Sequence, residues 1–576
     1  TVTIGSTGYD QSAGTFVGAD TAIAINGAFT LSGGNMTSTS GTMSVQNNFT
    51  ISGGTFTHNS GRLIFDGGST TVDTGTAVFN KVTINQGASD FTVTGTMDVN
   101  GDLDIDGVST INGGTIAVAG DVTSTDTSVA GTGTSLLDGT GAQILSGGGE
   151  LPSVTIDTSG TLTIQDTIKI SGNWTHIGGA VDAGTSTVIF TTGAQTVSSG
   201  SMSFNNVSVS NGGSALTVSG TMPVNGNLTL NGAINGGTID VDGNLTLNGA
   251  INGGTITVAG NVTSGASVAG TGTILLDGIG AQTLSGGELP SVTINKSSGT
   301  LTIQDIQVSG NWTYSAGTVA VGTSTVVFTT GGQTVNAGSM SFYHVTFDTG
   351  GSSITISGTM DVNGTLTITD VASIDTGTIA VAGNVTSTDA IVSGTASITL
   401  DGTADQTINV LDIPNGTFTI NKASGTATLI SHLILNSSQA LNITVGTLDQ
   451  GSGKDLTAGS ITLAAGTTWK NSSGATSTIT IGGSVSNDGT INFNSSTAGC
   501  GEADAIRIRS TSGGVTRAWS GTGAFALIDV DVKDQVGTTQ IIVFNGTDTG
   551  NNGSNWTFND CDSAPTVIII DWREVY

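Results

Sequence analysis

The chain has 576 residues, 90 of them glycine, and only 9% are charged. Its 12 basic and 42 acidic residues give a net charge of −30, which repels phosphate and anionic lipid alike and argues against nucleic-acid or membrane-surface partners. No apolar run approaches the ~20 residues of a spanning helix, so no membrane span is expected.

A chain so rich in Gly and poor in aromatics would be disordered if its apolar residues were scattered. Instead Val, Ile and Leu alternate with Thr, Ser and Asn, which is a strand pattern. Gly, Asn and Asp fill the gaps, as tight turns require. The opening stretch TVTIGSTG reads as a mature product whose leader was removed, implying an extracellular or cell-surface location.

From residue 25 a marker recurs: an apolar residue, a variable one, usually Gly, a small polar residue, then apolar-Thr-apolar. It reads INGAFTL at 25, VQNNFTI at 45, VNGDLDI at 99, VAGDVTS at 118, VNGNLTL at 224, VDGNLTL at 241 and VNGTLTI at 362. Adjacent markers, such as those at 99 and 118 or at 224 and 241, are set apart by the length of one lap of short strands and turns. Residues 1–75 are read as N-terminal coils or a cap, and 76–430 as the main solenoid.

Within VNGDLDIDG, Asp102, Asp104 and Asp106 alternate with Leu103 and Ile105. Three carboxylates on one strand face beside Gly107 resemble part of a calcium loop, which makes them candidate metal ligands and calcium the candidate cofactor. The loop's closing Glu is missing, and a strand spreads ligands along a line, so a solvated acidic face is the competing reading.

Trp174 and Trp312 share the phrase GNWT and are read as core plugs rather than sugar-stacking platforms. The histidines His58, His176, His344 and His432 are far apart, without metal or triad spacing, and His176 is matched by Tyr314 in a later repeat. All four are read as structural.

Residues 226–242, GNLTLNGAINGGTIDVD, are followed directly by GNLTLNGAINGGTITVA at 243–259. Ile239 and Val241 are kept as Ile256 and Val258, whereas Asp240 and Asp242 become Thr257 and Ala259. Alternate side chains of a strand face opposite ways, so one face is constrained by packing and the other is not. Asn227, Asn244 and Asn261 recur at the marker's polar position. They are read as an Asn ladder whose amides bond up the stack at each corner, with glycan acceptors as the alternative.

A longer period lies above the coil. ELPSVTI begins at 150 and 288, SGNWT at 171 and 309, and SMSF at 201 and 339, each pair 138 apart. An earlier copy, from FNKVTI at 79 to FNNVSV at 204, is spaced by 125, short by most of one coil. Whole coils can be inserted into a stack without disturbing the laps beyond them.

Residues 431–496 read as degenerate coils. Residues 497–576 hold five of the basic residues and three of the six tryptophans, and read as a β-rich terminal cap or assembly domain covering the open core. The pair Arg507 and Arg509 is read as an edge strand pointing outward around Ile508. Cys500 and Cys561 are expected to form a disulfide in an oxidising compartment. After Pro565, Val567, Ile568, Ile569 and Ile570 form an apolar strand suited to addition onto a neighbouring subunit, or to folding back on its own cap.

The stretch 529–558, DVDVKDQVGTTQIIVFNGTDTGNNGSNWTF, and the block 172–210 resemble secreted β-helix repeat surface proteins, of the pectin-lyase-like or filamentous-haemagglutinin-like kind. The resemblance implies an extracellular parallel β-helix and transfers no catalytic residue. The expected fold is all-β, a parallel β-solenoid, right-handed by the usual crossover rule. The expected function is non-catalytic: a self-associating subunit of a surface filament, sheath or matrix. An adhesin stalk that binds surface glycans and a β-helix polysaccharide lyase or hydrolase are the alternatives.

Overall fold

The computed structural model describes residues 1–268, 270–472, 475–495 and 506–559. Among these there is no helix, and every strand pairing is parallel, so that the strands stack as a β-solenoid. The chain divides into two compact units, Thr1–Leu301 and Thr302–Tyr576.

In the first unit the laps stack in a register set by the inward residues. Ile25 pairs with Val45, Val45 with Phe65, Phe65 with Ile84, and Ile84 with Ile105. All five are fully buried. The residues between them, such as Ser44 and Asp104, are only half-buried, so period-two alternation becomes an inside and an outside. Near the start the core is aromatic, with Phe29 and Phe49 stacked at 4.4 Å between ring centroids and 11° apart.

The duplicated unit at 226–259 behaves as its substitutions imply. Ile239 pairs with Ile256 and Val241 with Val258, all completely buried. Between them Asp240 pairs with Thr257 on the outer face. The glycine of the marker has a steric cause. Gly226, Gly243 and Gly260 form a corner column in which Gly243 N–H donates to Gly226 O and Gly260 N–H to Gly243 O, both at 3.0 Å. A Cβ on Gly243 would lie 2.3 Å from Gly226 O, a distance no side chain tolerates.

The second unit repeats the arrangement. Ile379, Ile398, Phe418, Leu441, Ile461, Val485 and Trp519 follow one another through successive pairings. A further sheet runs Leu433, Leu456, Ile479, Ile508, Val532. The parallel ladder therefore crosses the expected boundary at 430 unbroken, and 506–559 carry it onward. The strand Ile506–Ser510 differs from the edge strand expected of it, since it pairs with Ser477–Ile481 on one side and Val530–Val532 on the other. Arg507 and Arg509 do alternate with the buried Ile506 and Ile508.

Truncating Ile256 to Ala should cost about 2–5 kcal/mol, whereas Thr257→Ala on the outer face should stay within about 0.5 kcal/mol. Hydrogen exchange of the flanking amides measures both as local opening free energies.

Candidate functional site

The acidic strand is a hub of ion pairs. Lys81 Nζ lies 2.5 Å from Asp102 Oδ2, and Arg62 pairs with Asp104 while donating to Thr83 Oγ1 at 2.7 Å. Asp106 is exposed. Burial alone would raise the Asp102 pKa. The hydrogen bonds from Lys81 and the Asp121 N–H, with the charges of Lys81 and Arg62, outweigh it and hold the group below the usual carboxylate range. Two of the three candidate calcium ligands thus face cations from preceding coils. Among the described residues no group of three or more His, Cys, Asp or Glu is placed to hold a metal ion.

Asp102 also belongs to the corner ladder, and the ladder differs in chemistry from the expected one. Asn227 Oδ1 accepts the Asn244 backbone N–H at 2.9 Å, Asn244 Oδ1 the Asn261 N–H at 2.8 Å, and Asn261 Oδ1 the Thr283 N–H at 2.8 Å. The side chains bond the next coil's backbone rather than one another. The geometry explains why Asp serves equally: Asp102 accepts Asp121 N–H at 3.2 Å, and Asp121 accepts Ile144 N–H at 2.8 Å. An amide-to-amide rung does occur a few residues on, where Asn248 Nδ2 donates to Asn231 Oδ1 at 3.0 Å. The three ladder asparagines are exposed. Their nitrogens, the atoms a glycan would take, donate to nothing among the described residues.

Two histidines occupy ladder positions in the second unit. His344 Nδ1 accepts Thr365 N–H and His432 Nδ1 accepts Asp455 N–H, each at 2.9 Å. His176 is buried and its Nε2 lies 3.1 Å from Gly179 O. Its counterpart in the later long repeat, Tyr314, donates its hydroxyl to the matching Gly317 O at 2.6 Å, which is why the ring exchange is tolerated. Trp174 and Trp312 are fully buried, with Nε1 at 3.3 Å from Met202 Sδ and 3.4 Å from Met340 Sδ.

A second corner device was not anticipated from the sequence. Buried Gln282 reaches across the stack and donates through Nε2 to Val258 O and Gly260 O, both at 2.8 Å. Gln143, Gln195, Gln333, Gln406 and Gln439 make the same pair of bonds. A signal was present: each Gln follows a short polar loop and stands at, or just before, the first residue of a strand.

Two of these glutamines hold buried lysines. Lys422 Nζ donates to Gly402 O, Ala404 O and Gln406 Oε1 at 2.6, 2.7 and 2.6 Å. Lys296 makes the equivalent bonds to Gly278 O, Gly280 O and Gln282 Oε1. Burial lowers both lysine pKa values, opposed by Asp277 at Lys296 and by Asp405 and Asp401 at Lys422. Thr158 stands where Lys296 stands one long repeat later, and donates to Gly139 O at 2.6 Å. The site takes any donor that satisfies the carbonyls, which marks it as structural. Cys500, Cys561, Val567, Ile568, Ile569 and Ile570 lie outside the described residues.

Replacing Asn244 by Ala should cost about 0.5–1.5 kcal/mol by orphaning one N–H, read as faster exchange of the Asn261 amide. The Lys422 pKa is depressed in the folded state, so the unfolded chain binds more protons between that value and the ordinary ~10.4. Its contribution to stability therefore rises with pH across that window, and Lys422→Met should remove that rise in a series of alkaline melts. Comparison with protein-family models, curated proteins and solved structures returned no match.

Proposed function

We propose that this chain is a non-catalytic structural protein of the cell exterior, a subunit of a filament, sheath or matrix that extends by end-to-end strand contacts. The supporting observation is where its polar chemistry goes. The corner Asn, Asp, His and Gln groups, and both buried lysines, bond to adjacent coils. Among the described residues nothing in that pattern converges on a reacting centre, where acid, base and nucleophile would need to meet within hydrogen-bond reach. A stack of in-register strands ends in unpaired N–H and C=O groups, and pairing such edges between copies continues the same ladder. Head-to-tail contact of this kind does not close on itself and yields a fibre. The apolar run from Val567 to Ile570 is the segment proposed to bridge subunits.

Electron microscopy across a concentration series should show filaments that lengthen as protein is added. Deleting 566–576 should shorten them while circular dichroism stays unchanged. Discrete particles at every concentration, or polymers indifferent to the deletion, would contradict the proposal.

A further inference from the structure

The strand Trp174–Asp182 in the first unit is only half covered. Its later residues pair upstream, Ala180 with Thr161, Val181 with Leu162 and Asp182 with Thr163. The downstream strand Thr196–Ser198 meets it only at Trp174 and Thr175. Where a neighbouring strand would lie, the next coil makes a turn closed by Met202 N–H to Ser199 O at 3.0 Å. The result is a notch of about 460 Å³ along the strand edge, lined by Val181, Asp182, Ser201, Ser203, Asn205 and Asn225 among others.

The lining keeps polar groups that the stack does not take up. The side chains of Ser201, Ser203 and Asn225 have no hydrogen-bond partner among the described residues. Asn205 uses Nδ2 on Ser186 O at 3.2 Å and keeps its Oδ1. Asp182 accepts Gly184 N–H through Oδ1 at 3.0 Å and keeps its Oδ2. His176, whose Nε2 meets the lining residue Gly179, has a buried Nδ1 without a partner among the described residues.

The second unit supplies an internal comparison, since the same backbone phrase recurs in the later long repeat. There Ala320 replaces Asp182, Tyr343 replaces Asn205 and Asp361 replaces Pro223. Ser341, the counterpart of Ser203, donates to Asp361 Oδ2 at 2.6 Å. Ser203 instead sits beside Pro223, which the bridge between Phe204 and Val224 brings alongside. At position 182 the first copy gains a carboxylate that Ala320 lacks, and Ser203 is released from the carboxylate that engages Ser341.

We propose that this notch binds one ring of a neutral oligosaccharide. The free groups both donate and accept, which is what a ring of hydroxyls requires. Val181 offers an apolar contact, and the volume falls in the range of about 300–1,000 Å³ typical of small-ligand sites. Among the described residues no Lys or Arg lines the notch, and Asp182 together with the net charge of −30 disfavours acidic sugars. This site is separate from end-to-end assembly, so either can fail without the other.

The test is calorimetric titration of the full chain with uncharged gluco-, galacto-, manno- and N-acetylhexosamine oligosaccharides, with oligogalacturonate as the acidic comparison. At least one neutral series should bind with one site per chain, and oligogalacturonate should not. The double variant Asp182→Ala, Asn205→Tyr installs residues that the same backbone carries in the second unit. It should weaken binding by roughly tenfold or more, as loss of a charged hydrogen-bond partner does, with unchanged circular dichroism. Ser203→Ala is a milder second variant expected to weaken binding in the same direction. Absence of binding by every neutral series would overturn the proposal. So would affinity untouched by both variants, or Asp182-dependent binding of lysine-rich peptide in place of sugar.

Discussion

The structure rests on parallel strands held in register from one lap to the next. Each lap must return to the same phase, so inward residues meet inward residues and each strand's N–H and C=O groups find partners above and below. Ile239 over Ile256 and Val241 over Val258 show the condition at its barest. A slip of one residue would turn every valine and isoleucine of that lap toward water. The period is less constrained than the phase. Leu228 pairs with Leu245, Leu103 with Val122, Met43 with Leu63 and Val82 with Leu103. Those are laps of four different lengths, because extra residues are absorbed at corners.

Corners are therefore where this sequence uses its polar residues. A turn breaks the strand ladder and leaves backbone groups that must be satisfied if buried. The protein meets this with side-chain oxygens from Asn227 or Asp121, imidazole nitrogens from His344 or His432, and glutamines such as Gln282 that span two carbonyls at once. Lys422 and Thr158 solve a related problem with an ammonium and a hydroxyl. The chemistry required is a donor or acceptor of the right reach, so residue types interchange freely while the geometry persists.

Fold was legible in the sequence because packing writes a periodic signal. Alternating Val and Ile, the Gly of the marker and the direct duplication at 226–259 each report one stacking constraint, and each is found where the pattern places it. The corner ladder was legible in position but not in chemistry, since repetition reveals which residues stack and not which atoms bond. The glutamine clamps were missed because a lone polar residue at the start of a strand resembles any loop residue, and the buried lysines because a single Lys within Ser291–Ile303 or Phe418–Leu429 reads as an outward-facing strand residue. Asp102 and Asp104 show the opposite limit of local reading. Their cationic partners, Lys81 and Arg62, come from earlier coils, at separations that local motif reading does not reach. The notch beside Asp182 was invisible for a similar cause: it exists where a strand fails to find a neighbour, and sequence periodicity reports presence better than omission.

Structure and proposed role meet in repetition: each lap repeats the pairing of the one before it, and the proposed assembly would continue that pairing between copies. All of this depends on the register, which engineered disulfides probe directly. In a background with Cys500 and Cys561 replaced by Ser, the pair Asp240→Cys and Thr257→Cys sits on facing outer positions of adjacent laps. Neighbouring parallel strands are about 4.8 Å apart, near the lower end of the Cα separations that a disulfide spans. Mild oxidation should crosslink that pair within one chain and leave Asp240→Cys with Leu275→Cys, two laps apart, unlinked. Equal crosslinking of both pairs, or of neither, would contradict an in-register parallel stack.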